Sequence, residues 1–290
     1  MKAWMRTVLT GGLLMLGCWG VGTPAHSQTT LDKARAAGFI RAGTINVPPY
    51  AYATMDGRLQ GIAPEIAAAV LKRLGIPQVD WVVTPFNALI PGLIAGRWDL
   101  VAAEQSIFKQ RCEQVSFANP TDTGLETLLV KAGNPKSLHS YDDIKNNSNA
   151  IVAAPSGTTQ LNYLHAYKVP DSRILIITNQ ADGPEVVRSG RADAYTMQDA
   201  DGGYLISSGG GAGLELAKPF AIPVVDGKQV IGYGATTFRK DDTAFRDAYN
   251  TELAAFEKTP EFWDIAKRNG FSEEGVRLAL KMTADQACKE

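Results

Sequence analysis

Sulfur and imidazole are scarce in this chain, which has three cysteines and three histidines among 290 residues. Cys18 and His26 fall in an N-terminal segment that reads as an export signal, leaving Cys112, Cys288, His139 and His165. With no Cys-x-x-Cys, no His-Glu-x-x-His and no Asp-rich calcium loop, a transition-metal site lacks ligands, and no metal or other cofactor is expected. Gly-x-Ser-x-Gly and Walker loops are absent, and two histidines leave little material for a Ser-His or Cys-His nucleophile pair, so hydrolase and ATPase chemistry has no support. The Gly209-Gly210-Gly211-Ala212-Gly213 run lacks phosphate-cradle spacing and reads as a flexible loop. Basic excess is missing too: the formal net charge is −1, with no Lys/Arg cluster interleaved with aromatics, which argues against nucleic-acid binding.

Long apolar runs are also lacking. Residues 8–19 are apolar but short of the roughly 20 that a membrane span needs, and four glycines lie in the stretch through Gly20. Lys2 and Arg6 before this run, and Ala25-His26-Ser27 after it, make a secretory signal over residues 1–27 with a mature start at Gln28. A lipoprotein signal ending at Cys18 is the alternative, but Met15-Leu16-Gly17-Cys18 fits that pattern poorly. The expected location is the periplasm. There an even pair, Cys112 and Cys288, reads by default as a disulfide, with two unpaired buried thiols as the other possibility.

One phrase occurs twice. Gly96-Arg97-Trp98-Asp99-Leu100 and Gly190-Arg191-Ala192-Asp193-Ala194 each close an apolar helix-like run and open a strand-like one, with Gly suited to the left-handed conformation just past a helix end. The surrounding pattern predicts strand 39–45, helix 64–74, strand 79–83, a helix from an Asn87 cap to Ala95, and strand 100–103. After the turn-rich Lys131-Ala132-Gly133-Asn134-Pro135 the alternation restarts: strand 151–154, helix 159–167, strand 174–178 and helix 184–189, with strand 231–238 and two capped helices, 242–258 and 259–269, later. Such alternation predicts α/β architecture with mostly parallel sheets flanked by helices. The domain reading is lobe one over 28–131, lobe two over 132–232, and a return to lobe one over 233–290. Two crossings, near Lys131 and near 231–238, make a two-strand hinge, and a cleft between similar lobes is a place to bind a ligand.

Ligand-type groups stand at predicted loop positions. Arg111 could grip a carboxylate through two parallel charge-assisted bonds, or form an ordinary surface ion pair. Ser156-Gly157-Thr158-Thr159 joins strand to helix and suits either an anion or a plain N-cap. Tyr50 and Phe86, each after proline, could pack on a ligand cation or edge the core.

Taken together, Pro48-Pro49-Tyr50, Ile90-Pro91-Gly92-Leu93, the doubled Gly-Arg-x-Asp, Arg111, Phe117-Ala118-Asn119-Pro120, Ser156-Gly157-Thr158 and Phe238-Arg239-Lys240 resemble the polar-amino-acid-type (family 3) solute-binding proteins of ABC importers. The likeness covers about Leu31 to Cys288. Within that family, Arg111-Cys112, Gly133-Asn134-Pro135, Ser140-Tyr141, Ala154-Pro155, Gly270-Phe271-Ser272 and a C-terminal Cys look most like the ectoine/hydroxyectoine binders, which supports the Cys112–Cys288 pairing. The resemblance implies a type II two-lobe periplasmic-binding-protein fold, Arg111 on a ligand carboxylate, Ser106 in the same turn, Thr159 from lobe two, and Tyr50 and Phe86 at aromatic-cage positions. Partners would be a small-molecule ligand and an inner-membrane ABC permease, and the chain would act as a monomer.

Three departures concern the ligand. Ectoine binders carry Glu where Val47 stands and a third cage aromatic where Ser106 stands. Amino-acid binders place Asp at the position of Gln198, which Asp199 follows here, and Gly where this chain has Glu104. Glu104 is therefore expected to restore the missing negative charge from another wall. The expected function is capture of a small zwitterionic or carboxylate-bearing solute without covalent chemistry. The alternatives are a cyclohexadienyl-dehydratase-like enzyme, with Glu104 or Asp199 as general acid or base, and a ligand-sensing protein.

Overall fold

The computed structural model describes Met1, residues 29–54 and residues 56–289. The export signal read over 1–27, Cys18 included, lies outside the described residues apart from Met1.

The first lobe begins with α1 (Thr30–Ala37), β1 (Phe39–Thr44), a short ribbon of β2 (Tyr52–Ala53) and β3 (Leu59–Gln60), and α2 (Ile62–Arg73). It continues through β4 (Gln78–Val83), α3 (Leu89–Ile94), β5 (Leu100–Ser106), α4 (Lys109–Cys112), β6 (Val115–Phe117) and β7 (Asp122–Gly124). The second lobe contains β8 (Glu126–Lys131), α5 (Tyr141–Asn146), β9 (Val152–Pro155), α6 (Thr159–Ala166), β10 (Ile174–Ile177), α7 (Gly183–Arg188), β11 (Ala194–Gln198), α8 (Asp199–Ser207) and β12 (Leu214–Leu216). A β13 (Val224–Val225) and β14 (Lys228–Gln229) hairpin leads into β15 (Gly232–Arg239), which re-enters the first sheet. Helices α9 (Thr243–Phe256), α10 (Pro260–Arg268), α11 (Glu273–Ala279) and α12 (Ala284–Ala287) follow.

The two sheets are built alike. The first has the order β4-β1-β5-β15-β6, with β7 also on β15, and the second β10-β9-β11-β8-β12. In each, three strands run parallel, β4-β1-β5 and β10-β9-β11. Antiparallel pairings then begin at the crossing strands β15 and β8, so the expected parallel character holds for that half of each sheet. The doubled phrase marks equivalent points. Gly96 and Gly190 take φ of 69° and 79°, stopping α3 and α7 as Gly can at low cost. Asp99 N–H then donates to Arg41 O at 2.8 Å and Asp193 N–H to Ile151 O at 2.7 Å, which sets β5 and β11 beside β1 and β9.

Local expectations need two corrections. Asn87 does not cap the helix before Gly96. Residues Phe86–Ala88 form a 3-10 turn that runs into α3 with no side-chain cap, and the Asn87 side chain instead reaches Ser156 Oγ of the other lobe at 3.4 Å. Lys131 does not end the first lobe, because β8 pairs with β11 and β12 in the second sheet. The outward crossing is at Leu125, between β7 and β8, and the pattern misled because only this one residue separates the two strands, whereas the turn-rich residues lie after β8.

Packing fixes these elements. Strand β15 is buried from Gly232 to Phe238, and Phe238 meets the rings of Phe245 and Tyr249 edge-on at 5.0 and 5.3 Å, contacts worth about 0.5–1.5 kcal/mol each beyond area burial. The second sheet has a core cluster on each face, one around Leu128, Tyr141 and Val152, the other around Leu129, Val187 and Tyr195. Strand residues alternate between these clusters, as their period of two requires. Cys112 and Cys288 form a disulfide across 176 residues with Cα atoms 5.9 Å apart. It ties α12 to α4, the short helix that carries Arg111, and on the loop-entropy account contributes at most about 4–5 kcal/mol.

Candidate functional site

The cleft between the lobes holds a partly open cavity of about 40 Å³ lined from both sides, and clefts between lobes are common ligand sites. Arg111 enters it from the first lobe. Its side chain is 5% exposed, one terminal nitrogen donates to Ser106 O at 2.9 Å, and the other donates across the cleft to Gly157 O at 2.7 Å. Phe86 and Phe108 stack against the guanidinium, with ring centroids 5.1 and 4.6 Å away. No ion pair among the described residues involves Arg111. Burial lowers its pKa to about 9, so it remains a cation at neutral pH. A guanidinium has five N–H donors, and the two hydrogen bonds to carbonyls leave capacity for an anion. The sequence left open whether Arg111 was a surface ion pair; its burial and lack of a carboxylate partner decide against that.

The second lobe supplies the facing wall. Thr159 opens α6 after the β9 turn, with Gln160 beside it; both are buried and line the cavity. Thr158 caps no helix N–H with its side chain, and its hydroxyl donates to Pro155 O. At the end of β11, Gln198 accepts a 2.7 Å hydrogen bond from the Tyr50 hydroxyl of the first lobe. Tyr50 is held edge-on by Phe271 at 5.5 Å. The sheet leaves space for Gln198 by an opposed glycine pair: Gly124 of β7 and Gly232 of β15 are register partners. A Cβ on Gly124 would lie 2.2 Å from Gln198 Cδ, and one on Gly232 2.8 Å from its Nε2.

Two carboxyl side chains, Glu104 and Asp201, line the same cavity as Arg111. Glu104 lines the cavity, accepts a 2.8 Å bond from Thr121 Oγ1, and has φ of 43°, a left-handed conformation that is costly for any residue but glycine. Asp122 of β7 lies beside it. Burial raises the Glu104 carboxyl; burial, then the Glu104 charge, lifts Asp122 well above the ordinary range. Two adjoining buried carboxyls resist ionising together, so the pair holds a proton more tightly than a lone carboxyl would. Asp201, in the first turn of α8, lines the same cavity and is pushed up to about 8 by desolvation. Glu126 lies behind, accepting bonds from Tyr141 Oη at 3.1 Å and Gln160 Nε2 at 3.0 Å, and burial raises it to about 8 as well.

Of the residues singled out from sequence, Tyr50, Phe86, Glu104, Ser106, Arg111, Thr159 and Gln198 meet around one cavity. Asp199 does not. Its N–H donates to Leu125 O at 2.9 Å and its Oδ1 accepts from Leu125 N–H at 3.2 Å, so it clasps the outward crossing. Asp201 takes the place expected of Asp199. Helix geometry could have revealed this, since positions i and i+3 share a helix face and Gln198 is the N-cap of α8. Gln160, Tyr195 and Met197 also line the cavity and carried no signal distinguishing them from core residues. No group of three or more His, Cys, Asp or Glu able to hold a metal ion occurs among the described residues.

The relatives of the chain fit this site. A probable amino-acid ABC transporter periplasmic-binding protein of Sinorhizobium fredii, y4tE, is 36% identical over 261 residues, covering 89% of this chain and 86% of its own. The crystal structure of EhuB in complex with hydroxyectoine superposes with a TM-score of 0.81 at 32% identity, covering 89% of this chain and 97% of that one. The ancestral amino acid-binding protein AncCDT-1, a precursor of cyclohexadienyl dehydratase, gives 0.72 at 25% identity, covering 83% and 99%. Residues 40–271 match the bacterial extracellular solute-binding proteins, family 3. With its two-sheet fold, its hinged cleft and this match over most of its length, the chain belongs to the bacterial extracellular solute-binding proteins of family 3.

Proposed function

We propose that the protein captures a small zwitterionic, carboxylate-bearing solute in the periplasm and delivers it, as a monomer, to an ABC permease of the inner membrane. One observation carries this reading: a buried guanidinium bridges the lobes with no acidic partner among the described residues. Leaving a buried charge without a counter-charge is costly, and a ligand carboxylate supplies one. The solute's cationic end then faces Glu104, Gln198 and Asp201, with Tyr50 and Phe86 packing on its body. Because the Arg111 bond to Gly157 and the Tyr50 bond to Gln198 both span the cleft, a solute held between these groups favours the closed shape that a permease would read. The amino-acid and hydroxyectoine relatives support this solute class.

Calorimetry against ectoine, hydroxyectoine and a panel of amino acids tests the proposal. At least one zwitterion is expected to bind with 1:1 stoichiometry; failure of all of them with Arg111 intact would overturn it. The dehydratase alternative predicts turnover of prephenate or arogenate, and the binding reading predicts that both are recovered unchanged.

A further inference from the structure

The cleft continues into an apolar annex. A second cavity, of about 210 Å³, shares five lining residues with the Arg111 cavity, Val47 and Asp201 among them, but Arg111 itself is not in its wall. It runs between the loop after β1 and the helices α7 and α8. Beyond the shared residues it is lined by Pro48, Ala181, Pro184 and Leu205 with Asn46, Tyr204 and Ser208, and Asp201 at the junction is its one carboxyl side chain. Tyr204, also in its wall, meets Tyr52 of the first lobe with ring centroids 5.7 Å apart, so lobe-to-lobe contact closes its edge.

On the reading of the Arg111 cleft as a zwitterion site, we propose that this annex is the subsite for an apolar substituent of the solute. The favoured ligand is then a zwitterion with its carboxylate at Arg111, its cationic nitrogen at Asp201 and a branched aliphatic or aromatic arm beyond. Position 47 decides the chemistry. A carboxylate there would put a second charge at the mouth, whereas Val47 joins the two cavities by an apolar wall. Although polar residues such as Asn46 and Gln180 contribute to its wall, most of the surface that the annex exposes is apolar, so an apolar arm entering it gains burial.

Calorimetry with L-alanine, L-leucine, L-phenylalanine and ectoine tests this on the wild-type chain and two variants. Leucine or phenylalanine is expected to bind about 30-fold or more tighter than alanine, following the usual gain per buried methylene. Ala181→Trp, at an exposed position on the annex rim, fills the space and should erase that gap while leaving alanine or ectoine affinity within about twofold. Val47→Glu should narrow the gap from the other wall and serves if the tryptophan variant does not fold. Equal binding of alanine and its larger homologues, binding of ectoine alone, or a gap untouched in both folded variants overturns the annex and leaves the zwitterion site standing. Binding by none of the four probes overturns the site reading and the annex with it.

Discussion

Arg111→Met removes the charge and the hydrogen-bonding fork while keeping an apolar stem between Phe86 and Phe108, so it isolates what the guanidinium contributes to ligand binding. Two charge-assisted bonds to a ligand carboxylate, at about 1.5–3 kcal/mol each, amount to roughly 3–6 kcal/mol, or two to four powers of ten in Kd. The variant also loses the bonds to Ser106 O and Gly157 O, and the second of these holds the lobes together. Affinity loss alone therefore mixes ligand contact with closure. A carboxamide analogue separates them. Calorimetry at pH 6, where an α-amine stays protonated, would compare an amino acid that binds with its amide on both proteins. The wild type should prefer the acid by at least about 100-fold, and in Arg111→Met the preference should shrink to about twofold, as a double-mutant cycle requires for a direct contact. Persistence of the full acid preference in the variant would refute the assignment of the carboxylate to Arg111.

Other expectations follow from the same geometry. Asp201 and Glu126 are both raised to about 8, so the folded state binds more protons than the unfolded chain between about pH 4 and pH 8. Their contribution is fully present below the unfolded carboxyl range and is lost as pH rises through 8. Thermal denaturation of the ligand-free protein should show Tm falling from pH 5 to pH 8.5, with a flatter profile for Asp201→Asn combined with Glu126→Gln; a Tm that rises over this range would contradict those raised values. Gly124→Ala should drive Gln198 away from Tyr50, since the added carbon would sit 2.2 Å from Gln198 Cδ, and titration should show at least about tenfold weaker binding, about 1.4 kcal/mol. Glu104→Gln should weaken a zwitterion by about tenfold at low salt, with a smaller effect at high salt; unchanged affinity at low salt would remove Glu104 from the site.

Much of the architecture was legible in the sequence, because helix stops and strand alternation are local signals. The doubled Gly-Arg-x-Asp phrase located both parallel half-sheets, and the strand and helix expected on either side of Thr159 occur with small shifts at their ends. Crossing strands were less legible. Strand β8 has the same apolar character whether it ends one sheet or begins the next, and only its partners, β11 and β12, tell which. Arg111 was found through its place after a predicted strand, and Gln198 as the position that matches an Asp of the amino-acid binders. Asp199 was mistaken for Asp201 because the reading followed sequence adjacency where the chain had already turned into a helix. Asp122 and Glu126 were missed for a related reason: their closeness to Glu104 and Gln160 comes from packing within each lobe, β5 and β7 both pairing with β15 and Gln160 of α6 reaching Glu126 of β8, which sequence adjacency does not show.

The central claim, that Arg111 anchors a solute carboxylate in a cleft built for a zwitterion, is tested most directly by mass spectrometry of ligand released from freshly purified protein. The wild-type chain should release a small molecule with one carboxylate and a cationic nitrogen, and Arg111→Met, purified in parallel, should release none. Recovery of a neutral sugar or a polyanion, or the same ligand in equal amount from both proteins, would contradict it.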